Sequence, residues 1–139
     1  MKVQYFDLKN KRALISGGAS GIGSSIVEHL CEQGVEVYFF DIDKKEAQKL
    51  ISKIKKKKQT IPTFLFCNIK NIKKYINLIQ GIIKKKGPID ILINNASNDQ
   101  RHTLEEVTEK YWDERMSINL KHYLFAIQAV KKSMIKNKG

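Results

Sequence analysis

"LISGGASGIG", residues 14–23, decides how the rest of the chain is read. Four of its last seven positions are glycine, and they follow directly on a short apolar run. A strand that ends in bare backbone and continues into a helix lets a phosphate approach the main chain, where the helix N-terminus offers N–H groups and a positive dipole end. Glycine also serves ordinary tight turns. The loop therefore has to be judged by what lies on either side of it.

The flanks support a strand–loop–helix unit. "RALIS" (12–16) reads as a buried strand, and Ile22, Ile26, Val27, Leu30 and Cys31 then recur at helical spacing, with Gly34 as a stop. The pattern repeats along the chain. "VEVYFF" (35–40), "TFLFC" (63–67) and "IDILI" (89–93) read as further strands. Helices are expected from Lys44 to Lys58, with Ala47, Leu50, Ile51 and Ile54 on one face, and through Ile72, Tyr75, Ile76, Ile79 and Ile83. A long helix is expected from Glu109 to Asn137, with Trp112, Met116, Leu120, Leu124, Ile127, Val130 and Met134 along one stripe. Four alternations of nearly all-apolar strand and amphipathic helix predict an α/β fold, a parallel sheet covered on both faces, in a single domain spanning 1–139.

An acid completes the loop's context. Asp41 lies 18 residues beyond Gly23, at the end of the second strand, where a carboxylate accepts hydrogen bonds from an adenosine ribose. The plainer alternative for Asp41 is a loop carboxylate or a helix cap.

Composition bounds the function classes. The chain has 139 residues, 42% hydrophobic and 29% charged, enough for one buried core. Its apolar runs are too short to span a bilayer, and "MKVQYFDLKNKR" lacks the apolar core of a secretory signal. A cytoplasmic location with no membrane partner is expected. Cys31 and Cys67 are 36 residues apart in apolar surroundings and read as small buried hydrophobes, and no metal site is expected. The net charge of +12 raises a nucleic-acid partner. Yet 23 of the 26 cations are lysine, and only Arg12, Arg101 and Arg115 offer a guanidinium fork. The runs "KIKKKK" and "IIKKKG" read as solvated outer faces and last helical turns, where lysine complements the dipole. Nucleic acid is not the expected partner.

"SGGASGIG" resembles the Thr-Gly-x-x-x-Gly-x-Gly fingerprint of the short-chain dehydrogenases/reductases, with Ser16 in the threonine place. "NNA" (94–96) is similar to that family's Asn-Asn-Ala-Gly motif, with Ser97 replacing the glycine, and Asn119 in "MSINL" matches the asparagine that kinks the following helix and holds a proton-relay water. The resemblance implies a truncated Rossmann-like sheet of about four strands in the order 3-2-1-4. It implies that Gly17, Ser20, Gly21, Ile22 and Gly23 cradle a pyrophosphate, that Asp41 and Ile42 hold the adenosine ribose, and that Asn68 and Ile69 flank the adenine. Asn95, Ala96, Ser97 and Ile118 would line the nicotinamide end. Asp41 favours NAD by repelling the extra phosphate of NADP, and the nearby Lys44 and Lys45 keep NADP open.

The stretch from Asn94 to Val130 is similar to the sugar 1-dehydrogenase branch, on the strength of Asn98-Asp99-x-Arg101-His102 and Tyr111-Trp112-Asp113-Glu114-Arg115. Asn98, Asp99, Arg101 and His102 are the substrate candidates. Their alternative is loop stitching, with Arg101 pairing an acid and His102 capping the next helix. His29 and His122 read as structural.

The family's catalytic Ser and Tyr-x-x-x-Lys have no counterpart here, since Tyr5 and Lys9 fit the spacing but precede the first strand. Asn119 is then the single matched member of the relay. The expectation is the NAD-binding portion of an oxidoreductase acting on CH–OH, inactive alone and dimeric through the long helix, as the resemblance implies. The alternatives are a non-catalytic structural subunit and a basic nucleic-acid-binding module.

Overall fold

In a computed structural model, which describes residues 3–137, β1 (Arg12–Ser16) pairs in parallel with β2 (Glu36–Asp41) on one side and β4 (Ile91–Asn94) on the other. β3 (Thr63–Phe66) pairs in parallel with β2, giving the order β3-β2-β1-β4. The sequence expectation of strand order holds. β1 and β2 are buried almost throughout, whereas the edge strands β3 and β4 are only partly covered.

Strand alternation sends side chains to two cores. Ala13, Ile15, Val37 and Phe39 face α1 (Gly21–Glu32) and α2 (Lys44–Lys56), meeting Val27, Cys31, Ala47 and Ile54. Leu14, Tyr38 and Phe40 face α3 (Ile72–Lys86) and α5 (His122–Lys136), meeting Tyr75, Ile79, Ala126 and Val130. Helix starts are set by short polar side chains. Asp43 accepts the Glu46 N–H at 2.9 Å and Asn71 accepts the Lys74 N–H at 3.0 Å. Both cysteines are buried, and burial pushes the Cys31 thiol up to about 12. No helix among the described residues is long and apolar enough to cross a membrane.

The expected helix from Glu109 to Asn137 is present but not uniform: α4 (Glu109–Met116) and α5 are joined by a π-helical turn at Ser117–Lys121. The His122 ring takes the Ile118 carbonyl at 2.7 Å, the acceptor an α-helix would give to the main-chain N–H of residue 122. The apolar stripe also divides. Val130 is buried and Met134 packs on the core, while Trp112, Met116, Leu120, Leu124 and Ile127 remain exposed to solvent.

Candidate functional site

The glycine loop is shaped by contact. A Cβ on Gly17, whose φ is +69°, would stand 2.7 Å from Ala96 Cα, and a Cβ on Gly23 would stand 1.8 Å from the Gly17 carbonyl oxygen. The first lets the β1 end nestle against the "NNA" segment, and the second lets α1 start directly beneath the loop. The Gly17 N–H donates to the Phe40 carbonyl at 2.8 Å, so the loop is also stitched to β2.

Asp41 is the second support. Its Oδ2 accepts the Ala19 N–H at 2.9 Å, and Oδ1 accepts the N–H groups of Ile42 and Asp43 at 2.7 and 3.0 Å. It thus ties the glycine loop to the end of β2 while bordering the open cleft beside it.

A third support lies beneath. Ser16, fully buried, has its Oγ 3.1 Å from His122 Nε2 and accepts the Asn95 and Ala96 N–H groups, each at 3.1 Å. A carbonyl only accepts, so His122 Nδ1 donates to Ile118; burial holds the ring below its ordinary pKa and neutral. Nε2 is then the acceptor for the Ser16 hydroxyl. The Asn95 amide donates to the Ser16 and Gly17 carbonyls at 3.2 and 2.8 Å, closing the same junction.

These supports surround a cleft of about 560 Å³ at the C-terminal ends of the strands. Gly17, Ser20, Ile22 and Gly23 form its loop side, and Asp41, Ile42, Asn68 and Ile69 the β2–β3 side. Asn95, Ala96, Ser97 and Ile118 border its other end. Gly21 lies just outside, on a shallower depression with Ile22. Of the four substrate candidates Asn98 borders the cleft, and Asp99, Arg101 and His102 sit on the exposed loop leading away. His102 stacks on Tyr111 at a centroid distance of 4.1 Å and caps nothing; Thr108 caps α4 by accepting the Tyr111 N–H.

Asn119 makes a two-bond clasp on Asn98. Its Oδ1 accepts the Asn98 N–H at 2.8 Å and its Nδ2 donates to the Asn98 carbonyl at 3.0 Å. Four residues lining the cleft are not among the sequence candidates: Phe40, Cys67, Lys70 and Glu114. Lys70, after β3, and Glu114, on α4, form an ion pair at 2.9 Å that bridges the two sides of the mouth, and the lysine holds the Glu114 carboxyl below its usual range. Lys70 belongs to no motif and Glu114 only to the Tyr111–Arg115 run, so nothing in the sequence signals their pairing. Tyr5 and Lys9 lie at the other end of the sheet, where the neighbouring Asn10 N–H meets the Gly34 carbonyl.

A parallel sheet with a glycine loop entering a helix, and a ligand-sized cleft at the strand C-termini, is the arrangement of nucleotide-binding α/β folds. Residues 11–139 match the family profile described as "short chain dehydrogenase". The chain belongs to the short-chain dehydrogenases. It is 39% identical over 135 residues to the D-xylose 1-dehydrogenase of Caulobacter vibrioides, covering 97% of this chain and 52% of that protein. It is 36% identical over 136 residues to the Rhizobium meliloti protein named "Probable galactose dehydrogenase GalD", covering 98% and 53%. Among solved structures, the aldohexose dehydrogenase of Thermoplasma acidophilum superposes with a TM-score of 0.79 at 26% identity, over 95% of this chain and 47% of that one. This short-chain dehydrogenase chain spans about half the length of the relatives it matches. Its fold is a nicotinamide-dinucleotide-binding one by that kinship.

Proposed function

We propose that the cleft holds NAD in preference to NADP, and that these residues are the cofactor-binding portion of an oxidoreductase acting on the CH–OH group of a small alcohol or sugar. Asp41 carries the reading. A carboxylate has about four lone-pair sites, and three are filled by backbone N–H groups. The remaining site, on Oδ2, suits one ribose hydroxyl, and the negative charge repels a phosphate on that hydroxyl.

The residues fit the rest of the cofactor. Ser20 caps α1 without a side-chain hydrogen bond, and the first N–H groups of a helix have no intrahelical partner. They are assigned to the pyrophosphate, with Gly17, Gly21, Ile22 and Gly23 leaving the approach clear. Ile42 is assigned to the ribose, Asn68 and Ile69 to the adenine, and Asn95, Ala96, Ser97 and Ile118 to the nicotinamide end. When bound, the dinucleotide takes up or supplies the hydride. Asn119, after its two bonds to Asn98, keeps one acceptor site and one N–H for a relay water.

We assign binding rather than turnover to these 139 residues. Alcohol oxidation needs a base for the hydroxyl proton. Tyr75 is fully buried with its hydroxyl raised in pKa, and the Tyr111 hydroxyl donates to the Gln100 carbonyl. The named substrates of the D-xylose and galactose relatives support a sugar, with Asn98 as the first contact and Asp99, Arg101 and His102 beyond it. Two copies are proposed to pair through the exposed apolar face of α4 and α5.

Calorimetric titration with NAD and NADP tests the assignment. The expected result is NAD bound at least tenfold more tightly, with Asp41→Ala erasing the difference. No heat with millimolar NAD or NADH, or tighter binding of NADP, overturns it.

A further inference from the structure

Parallel winding runs the covering helices against the strands, so the C-terminal ends of α2, α3 and α5 gather at the pole opposite the cleft. Each end carries exposed lysines: Lys53 and Lys55–Lys58 on α2, Lys84–Lys86 on α3, and Lys131, Lys132 and Lys136 on α5. Lys9 and Lys11 join them from the segment before β1. Of the 14 acidic residues, five lie in this half: Asp7, Glu28, Glu32, Glu36 and Asp90. Glu28 is already paired with Lys53 and Lys57, and Glu36 with Arg12. The cleft half is close to neutral, with ten cations among nine acids. Among the described residues this pole therefore carries a net +9 and the cleft half +1.

The same pole exposes apolar side chains. Phe6 is 82% exposed beside the start of β1, Ile61 is 53% exposed before β3, and Ile135 is 65% exposed in the last turn of α5. Their placement is anchored by backbone and side-chain bonds at that end. The Asn10 N–H donates to the Gly34 carbonyl, the Thr60 N–H to the Cys31 carbonyl, and Asn137 Nδ2 to Asp90.

We propose that this pole docks the protein peripherally on an anionic lipid surface, with the cleft facing away and open. Clustered lysines interspersed with apolar tips match charged headgroups over an acyl boundary. A nucleic acid fits less well. Arg12, the one arginine at this pole, is committed to Glu36 and to the Pro88 carbonyl, and of the three apolar tips Phe6 alone has a face for a base to stack on, Ile61 and Ile135 being aliphatic. The proposal departs from the sequence expectation of no membrane partner, because the topology brings together lysine runs that read, one at a time, as solvated faces.

Co-sedimentation of the 139-residue chain with vesicles tests this. Phosphatidylcholine vesicles containing about one-third phosphatidylserine should retain it at low salt, pure phosphatidylcholine should not, and about 0.5 M salt should release it. Each lysine at such a surface strengthens binding about fivefold. Lys84→Glu/Lys85→Glu/Lys86→Glu should thus weaken retention more than tenfold. Lys49→Glu/Lys73→Glu/Lys110→Glu, an equal charge change in the cleft half, should weaken it less than threefold. Circular dichroism confirms that both variants fold, and single Lys85→Glu and Lys56→Glu variants replace a triple that does not. No retention on the mixed vesicles, equal losses in the two triple variants, or tighter binding to a generic duplex than to the vesicles would each overturn the proposal.

Discussion

Ser16 Oγ and His122 Nε2, 106 residues apart in sequence, lie 3.1 Å from each other in the core. Through this contact the start of α5 holds the end of β1, and Ser16 in turn holds the backbone of Asn95 and Ala96. One hydroxyl donates once and accepts twice, which uses its full capacity.

Ser16→Ala should therefore destabilise the fold by more than its small volume suggests. It strands two backbone N–H groups and the His122 Nε2 lone pair in a buried place, and a stranded polar group costs about 1–3 kcal/mol. Ser16→Thr, which keeps the hydroxyl, should cost less. Urea unfolding of the three proteins checks this; equal stability for wild type and Ser16→Ala contradicts the network.

His122 also makes stability depend on pH. Burial lowers its folded pKa below the unfolded value of about 6.5, so the unfolded chain binds more protons between the two. The contribution is complete above about 6.5 and is lost as pH falls through the folded value. Urea midpoints measured between about pH 7.5 and 5 should fall in the wild type and fall less in His122→Gln. The lowered carboxyls of Glu28 and Glu36 act below that window, so they do not mask the difference. Parallel curves for the two proteins would remove His122 from the account.

The glycines of the loop should not be equivalent. Gly21→Ala meets no atom within 4 Å, and its cost is that of a left-handed residue at φ +54°, about 1–2 kcal/mol. Gly23→Ala drives a methyl into the Gly17 carbonyl and cannot be relieved by a rotamer change. Thermal unfolding and NAD titration should both show Gly23→Ala as the more damaging. The reverse order would mean that the loop relaxes around position 23.

Association is the remaining expectation. Leu120, Leu124 and Ile127 are 54%, 55% and 49% exposed, and burying each such side chain is worth roughly 1.5–3 kcal/mol. Sedimentation at micromolar concentration should show a two-fold dimer, and Leu124→Asp should give monomers. A monomeric wild type refutes the pairing, and a dimer that survives Leu124→Asp refutes this face as its route.

The fold was legible because its signals are local. Four apolar runs, their helical spacers and the glycines at 17, 18, 21 and 23 suffice to fix the winding. The cleft was legible to the extent that motifs carry it, which is why Asp41 and Asn95 could be named and the Lys70–Glu114 pair could not. An ion pair between residues 44 apart leaves no periodic trace. His122 reads as structural from sequence, but its grip on Ser16 and Ile118 depends on how α5 approaches β1. The π turn does not show in the apolar spacing, which cannot distinguish it from an α turn, and only the match of Asn119 to a helix-kinking asparagine points to an irregularity there.

That turn at Ser117–Lys121 has a consequence for phase. Trp112, Met116, Leu120 and Leu124 recur every four residues, and in an unbroken α-helix of 3.6 residues per turn such a series creeps around the axis by about 40° at each step. A wider turn in mid-series takes up residues without advancing the angle and sets the drift back. The break thereby works as a gear between two helical segments: α4 and α5 keep their outer apolar residues in one seam, while α5 still delivers His122 inward to Ser16. Forcing the same residues into an unbroken α-helix would swing the two segments about 100° out of step. Either the seam or the inward histidine would be lost, but not neither.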